Sequence, residues 1–215
     1  DIVSGDFYWF KKINEHEFLL ACADCTGHGV PGAFMSMICS EKLSEGFLHS
    51  KSPDRILFYA NNGIKQALRQ NQQDEGKSKD GMEIALISYN TLTKKLCYSG
   101  ANRPLWIIKS NSNEVQETKP TKASVASFTE SNFEYSLHEF ILETGDTVYL
   151  STDGFPDQFG GPDGKKFMTK NMKAFLIEIS CLPMYEQKQL VSNKINTWMG
   201  NLEQVDDLLV IGLKG

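Results

Sequence analysis

Short segments rich in β-branched and aromatic residues recur along the chain, at residues 6–10, 17–24, 83–89, 95–99, 105–109, 139–143, 147–152 and 208–213. This pattern predicts strands. Several are separated only by brief turn-like pieces, such as Asn90-Thr91-Leu92-Thr93-Lys94 and Glu143-Thr144-Gly145-Asp146. Such links suit antiparallel hairpins, because a parallel pair needs a crossover of about a dozen residues or more. The sheet structure is therefore expected to be mainly antiparallel.

Helical periodicity occupies residues 31–49, 53–69, 170–179 and 185–198. In the first of these Phe34, Met37, Ile38, Phe47 and Leu48 recur at helical spacing, with Pro31 at an early helical position, which predicts an amphipathic helix burying that stripe. Strands, a helix pair, more strands, a second helix pair and a closing strand make an α+β domain, with sheets in the middle and helix pairs outside. The polar stretch 111–134 reads as a long loop or irregular hairpin, and 71–81 as a flexible connection.

At 215 residues the chain suits one substantial domain, taken here as residues 1–215. Its net charge of -5 and lack of a dense Lys/Arg cluster argue against nucleic acid as a partner. No apolar run approaches the roughly 20 residues of a membrane span, so no membrane contact by this segment is expected. The chain opens on Asp-Ile-Val-Ser, without an initiator Met or a leader pattern, and reads as a fragment lacking a signal peptide. The 5 cysteines form no even framework, which points to a reducing compartment and to the cytoplasm. Cys22 and Cys25 make a C-x-x-C, but no second pair at zinc spacing follows, and both are expected to be small core residues.

Acidic residues carry the chemistry. Asp6, Asp24, Asp153 and Asp206 each stand where an apolar strand stops or starts or where a glycine-rich turn begins. A carboxylate carried inward by a run such as Phe18-Leu19-Leu20-Ala21-Cys22-Ala23 is expensive to desolvate unless it meets a cation or several donors. Any one of these aspartates alone reads as a turn former or helix cap. Together they suggest a metal centre, and hard oxygen donors favour Mg²⁺ or Mn²⁺ over zinc. The adjacent Gly27, Gly29 and Gly154 would let backbone approach the ions and a phosphoryl group.

Five blocks bear a family resemblance: Val3-Ser4-Gly5-Asp6-Phe7-Tyr8-Trp9; Ala23-Asp24-Cys25-Thr26-Gly27-His28-Gly29-Val30-Pro31-Gly32-Ala33; Tyr98-Ser99-Gly100-Ala101-Asn102-Arg103-Pro104-Leu105; the run from Gly145 to Gly154; and Gln204-Val205-Asp206-Asp207-Leu208-Leu209-Val210-Ile211. In order and spacing they resemble the SpoIIE/RsbU branch of the metal-dependent protein phosphatases, the PPM or protein phosphatase 2C-like superfamily. The resemblance implies an α-β-β-α sandwich of two mainly antiparallel sheets flanked by helix pairs, with a binuclear Mn²⁺ or Mg²⁺ site at one end of the sheets. It implies Asp24 as bridging ligand with the Cys25 backbone carbonyl beside it, Asp153 and Asp206 as ligands of the second ion, and Asp6 as a ligand or an organiser of metal-bound water. It further implies a phosphoserine or phosphothreonine substrate, on an anti-anti-sigma (STAS)-type regulator, and an N-terminal sensor or regulatory region that controls the domain. A homodimer is compatible with it. Ser4 stands where the family more often has Gly. The arginine that grips phosphate in many eukaryotic members has no evident counterpart, which leaves Arg103 as its candidate.

On this reading two cations activate a water and neutralise the phosphoryl oxygens, while Asp24 and Asp153 are indispensable. His28, near Asp24 and the start of a helix, is the candidate acid for the leaving alkoxide; the alternative is that it only hydrogen-bonds the Gly27/Gly29 turn. Two rivals are a catalytically silent signalling or interaction domain of the same fold, and a metal-dependent phosphodiesterase. The completeness of the acidic set weighs against the first and the absence of a basic groove against the second.

Overall fold

The computed structural model describes residues 3–70 and 79–215. The elements run β1 (Phe7–Lys12), β2 (Glu17–Cys25), α1 (Gly29–His49), α2 (Pro53–Ala67), β3 (Gly81–Asn90), β4 (Lys95–Ala101), β5 (Leu105–Ile108), β6 (Val115–Thr118), β7 (Val125–Ala126), β8 (His138–Ile141), β9 (Thr147–Ser151), α3 (Gly154–Asp157), β10 (Phe159–Gly160), β11 (Lys165–Lys166), α4 (Thr169–Ile179), α5 (Met184–Met199) and β12 (Val210–Lys214). Of the connection expected at 71–81, residues 71–78 lie outside the described residues, and Gly81 already opens β3. The stretch 111–134 contains the short strands β6 and β7 rather than loop alone.

One large sheet has the order β1-β2-β3-β4-β8, with β7 added to β3, and a second the order β12-β9-β5-β6, while β10 and β11 form a small two-stranded sheet of their own. The strand ladders of the two larger sheets are antiparallel. Alternation along each strand builds the layers, since successive side chains point to opposite faces. On β2, Leu19, Ala21 and Ala23 face a core shared with Met35, Cys39 and Leu43 of α1 and Ile56, Leu57, Ala60 and Ile64 of α2. Leu20 and Cys22 face a second core between the sheets, where Ile87 and Tyr98 meet Leu105, Ile107, Val148 and Leu150. On β5, Trp106 and Ile108 turn the other way, towards Met172, Phe175 and Leu176 of α4 and Ile195 of α5. The result is the expected α-β-β-α sandwich.

Helix α1 departs from expectation in one respect. Its buried stripe is Gly32, Met35, Cys39, Leu43 and Gly46. Phe34 and Met37 are 63% and 70% exposed, and Leu48 also faces out. The small residues Gly32 and Gly46 let the helix lie close to its neighbours, so it packs along that line rather than along the bulkier one. Cys22 and Cys25 are both buried, as expected, and they lie in different cores. An odd separation on one strand puts their thiols on opposite faces, so the pair cannot chelate one ion. No helix among the described residues is long and apolar enough to cross a membrane.

Candidate active site

Antiparallel register gathers residues that the chain keeps far apart. Phe7 pairs with Ala23, so Asp6, just before β1, arrives beside Asp24 near the end of β2. Val210 pairs with Ser151, so Asp206 and Asp207, before β12, arrive beside Asp153, after β9. The two sheets bring these corners to a single cleft of about 350 Å³, lined by Asp6, Asp24, Asp153, Asp206 and Asp207, with the Cys25 and His28 positions on its wall. Every residue expected in the site is therefore present at the cleft.

The turn between β2 and α1 is held by backbone contact. A Cβ on Gly32 would run into the Gly27 carbonyl oxygen and lie 3.1 Å from Gly5 Cα, so only glycine allows the helix start, the turn and the N-terminal segment to pack this closely. Gly5 in turn donates its N–H to Asp207 Oδ2 at 2.8 Å. His28 is the N-cap residue of α1, exposed at the cleft, and its side chain makes no capping hydrogen bond. The Cys25 thiol belongs to the helix-side core, where a hydrogen bond with Cys39 and burial push its pKa up, so only its backbone can serve the cleft.

Two further residues complete the picture: Glu83, to which the sequence assigned no role, and Arg103, which the family resemblance offered only as a candidate phosphate-gripping arginine. Glu83 pairs directly with Asp24 across β2 and β3, placing two carboxylates side by side. Arg103, 8% exposed, answers them: its Nη2 lies 2.5 Å from Asp24 Oδ2, 2.9 Å from Asp153 Oδ2 and 2.9 Å from Glu83 Oε2. The only sequence signal for Glu83 was a charged residue in an otherwise apolar strand, whereas Arg103 stood in the Tyr98–Leu105 block that carries the family resemblance.

The carboxylates repel one another and resist ionisation. Burial pushes Asp6 up to about 8, with a hydrogen bond to Thr152 opposing it and the charges of Asp24, Asp207 and Asp206 adding to it. Burial likewise lifts Asp24 to about 6, against the pull of Arg103. Asp6 Oδ2 is buried without a hydrogen-bond partner. Among the described residues no three His, Cys, Asp or Glu side chains are drawn together tightly enough to enclose a metal ion by themselves. The guanidinium of Arg103 stands between Asp24 and Asp153 instead.

The family model for stage II sporulation protein E (SpoIIE) matches residues 14–214, nearly the whole chain. The chain belongs to the SpoIIE family. Asp24, Asp153 and Asp206 lie inside the matched segment, and Asp6 precedes it. No curated protein matches the sequence. Among solved structures, this SpoIIE-family chain is similar to the SiaA-PP2C domain of Pseudomonas aeruginosa, with a TM-score of 0.85 and 28% identity over 100% of this chain and 82% of that one. It shares its fold with the phosphatase domain and regulatory fragment of SpoIIE from Bacillus subtilis, with a TM-score of 0.73 and 15% identity over 100% of this chain and 59% of that one. It also shares its fold with RsbX in complex with magnesium, with a TM-score of 0.65 and 16% identity over 98% of this chain and 86% of that one. The chain is thus a PPM-type phosphatase domain by family and fold.

Proposed function

We propose that the chain hydrolyses phosphoserine and phosphothreonine on a protein substrate, with two divalent cations, Mn²⁺ or Mg²⁺, as cofactors. The observation that carries this is the convergence of Asp6, Asp24, Asp153 and Asp206, from four separate strand ends, on one cleft. The donors fit hard cations: they are carboxylate oxygens, one of them the buried and unpartnered Asp6 Oδ2, and they hold more negative charge than Arg103 alone balances. RsbX, which has the same fold, was solved in complex with magnesium.

Asp6, Asp24, the Cys25 carbonyl, Asp153 and Asp206 would hold the ions. Bound cations supply an activated water and neutralise phosphoryl charge. The protein does the rest. Asp207 fixes the Gly5–Asp6 segment through the Gly5 N–H, so the Asp6 carboxylate is aimed before any ligand arrives. His28, exposed at the edge of the cleft, would hand a proton to the departing seryl or threonyl oxygen of a substrate lying across the opening.

The family resemblance supports a STAS-type regulator as substrate and an N-terminal sensor region in the full-length protein, and the cysteine usage supports a reducing compartment, the cytoplasm. One observation favours a second reading, a catalytically silent signalling domain: Arg103 already pairs with Asp24, Glu83 and Asp153. Phosphate release from a phosphorylated STAS protein and from an unrelated phosphopeptide, each with Mn²⁺ and with EDTA, separates the readings. The phosphatase reading expects release that EDTA abolishes and that is faster on the STAS protein. Release in neither condition would leave the silent domain.

A further inference from the structure

Arg103 is placed by the fold rather than by its own flexible stem. The Tyr98 hydroxyl, fully buried, donates to the Arg103 carbonyl at 2.6 Å. Asn102 takes a left-handed φ of 58°, and its N–H donates to the Thr121 carbonyl at 3.0 Å while Thr121 returns its N–H to Gly100 at 2.9 Å. A Cβ on Gly100 would run into the Tyr98 hydroxyl, so the turn needs glycine there. Pro104 disfavours a helical backbone at Arg103. Asn102 Nδ2 also donates to Glu83 Oε1 at 3.0 Å, which leaves Glu83 Oε2 aimed at the guanidinium.

The contacts of that guanidinium are unusual in one respect: all three carboxylates meet the same nitrogen, Nη2, while the buried Nε has no partner. A terminal guanidinium nitrogen carries two N–H bonds and cannot serve three acceptors well. Oxygens from three side chains drawn around one positive centre is what a hard cation asks for. We infer that Arg103 is a positioning residue that competes with the divalent cations for Asp24, Glu83 and Asp153, and so sets the cation affinity of the cleft.

This rests on the two-cation reading above. A cation drawn to the same Asp24 and Asp153 oxygens meets the positive charge of Nη2 at close range, so cation binding drives the guanidinium back, and part of the binding free energy goes into weakening those pairs. Arg103 offsets the repulsion among these carboxylates between binding events, at the expense of weaker binding.

Calorimetric MnCl₂ titrations of the wild-type chain, Arg103→Gln and Arg103→Lys test it. Arg103→Gln removes the competing charge and is expected to bind Mn²⁺ at least about tenfold more tightly, equivalent to about 1.4 kcal/mol. Arg103→Lys keeps the charge and should stay within about threefold of wild type. Because Arg103→Gln exposes the cluster to its own repulsion and could unfold, a second measurement uses wild type alone: the Arg103 Nε–H resonance should move in step with saturation by MgCl₂. Unchanged or weaker Mn²⁺ binding in a folded Arg103→Gln, or a resonance that ignores bound Mg²⁺, overturns the competition and leaves the cation site standing. If neither wild type nor Arg103→Gln binds Mn²⁺, the cation reading itself falls, and the competition with it.

Discussion

Gly5 and Asp207, 202 positions apart, are joined by a 2.8 Å hydrogen bond from the Gly5 N–H to Asp207 Oδ2 at the edge of the acidic cleft. It ties the segment before β1 to the segment before β12, and each carries a neighbouring candidate ligand, Asp6 and Asp206. A hydrogen bond to a charged acceptor is worth more than a neutral one, so Asp207→Ala should lower stability by about 1–2 kcal/mol and reduce turnover several-fold. Asp207→Asn keeps an acceptor oxygen and should lose less than half as much. Urea unfolding and phosphate release on the two variants measure this.

Asp24→Asn and Asp153→Asn should each abolish Mn²⁺-dependent turnover while the circular dichroism spectrum stays that of the wild type. Each removes a carboxylate from a crowded cluster, and Arg103 keeps two of its three partners in either variant. Retained activity in either would remove that residue from the ligand set.

In EDTA, stability should fall as pH rises from about 4 to about 8. Asp6, raised to about 8, keeps its proton in the folded state, whereas the unfolded chain releases it near 3.8. Between those values the folded state binds more protons, so raising pH favours unfolding. Asp24 adds to the decline only up to about 6, making the lower part steeper. Asp6→Asn should flatten the curve between about pH 6 and 8, and saturating Mn²⁺ should flatten it throughout, as read from urea midpoints along the pH series.

Helix α1 begins at the turn that follows Asp24, and its start touches the backbone of both Gly27 and Gly5. Gly32→Ala should push it off that turn, costing several-fold in Mn²⁺ affinity and turnover together with a drop in Tm. Phe34→Ala and Met37→Ala, on the exposed face, should leave both unchanged in this chain. Mn²⁺ titrations and thermal melts of the three variants decide whether the helix start controls the site.

Much of the architecture was legible in the residues, because strand alternation and helical spacing are local. The strands around 17–24 and 83–89, and the helices at 53–69 and 170–179, appear within a few residues of where periodicity put them. Asp24 and Asp153 could be picked out because each interrupts an apolar run, a conflict that only a cation or a set of donors resolves. The buried stripe of α1 was misread for a reason that is not local: bulky Phe34 and Met37 match the helical period as well as Gly32, Met35 and Cys39 do, and close backbone approach chose the smaller set.

What the sequence determined by itself was the inventory: strands ending in aspartates, two helix pairs, a mainly antiparallel layering, and Cys22 and Cys25 destined for the core. What only the tertiary structure decided was which of these meet. Register across β2 and β3 set Glu83 against Asp24, and the turn after β4, buttressed by Tyr98 and Thr121, delivered Arg103 to both. Periodicity is a property of neighbours along the chain, whereas Coulomb energy depends on separation in space, and separation in space exists only after the sheets have closed on one another.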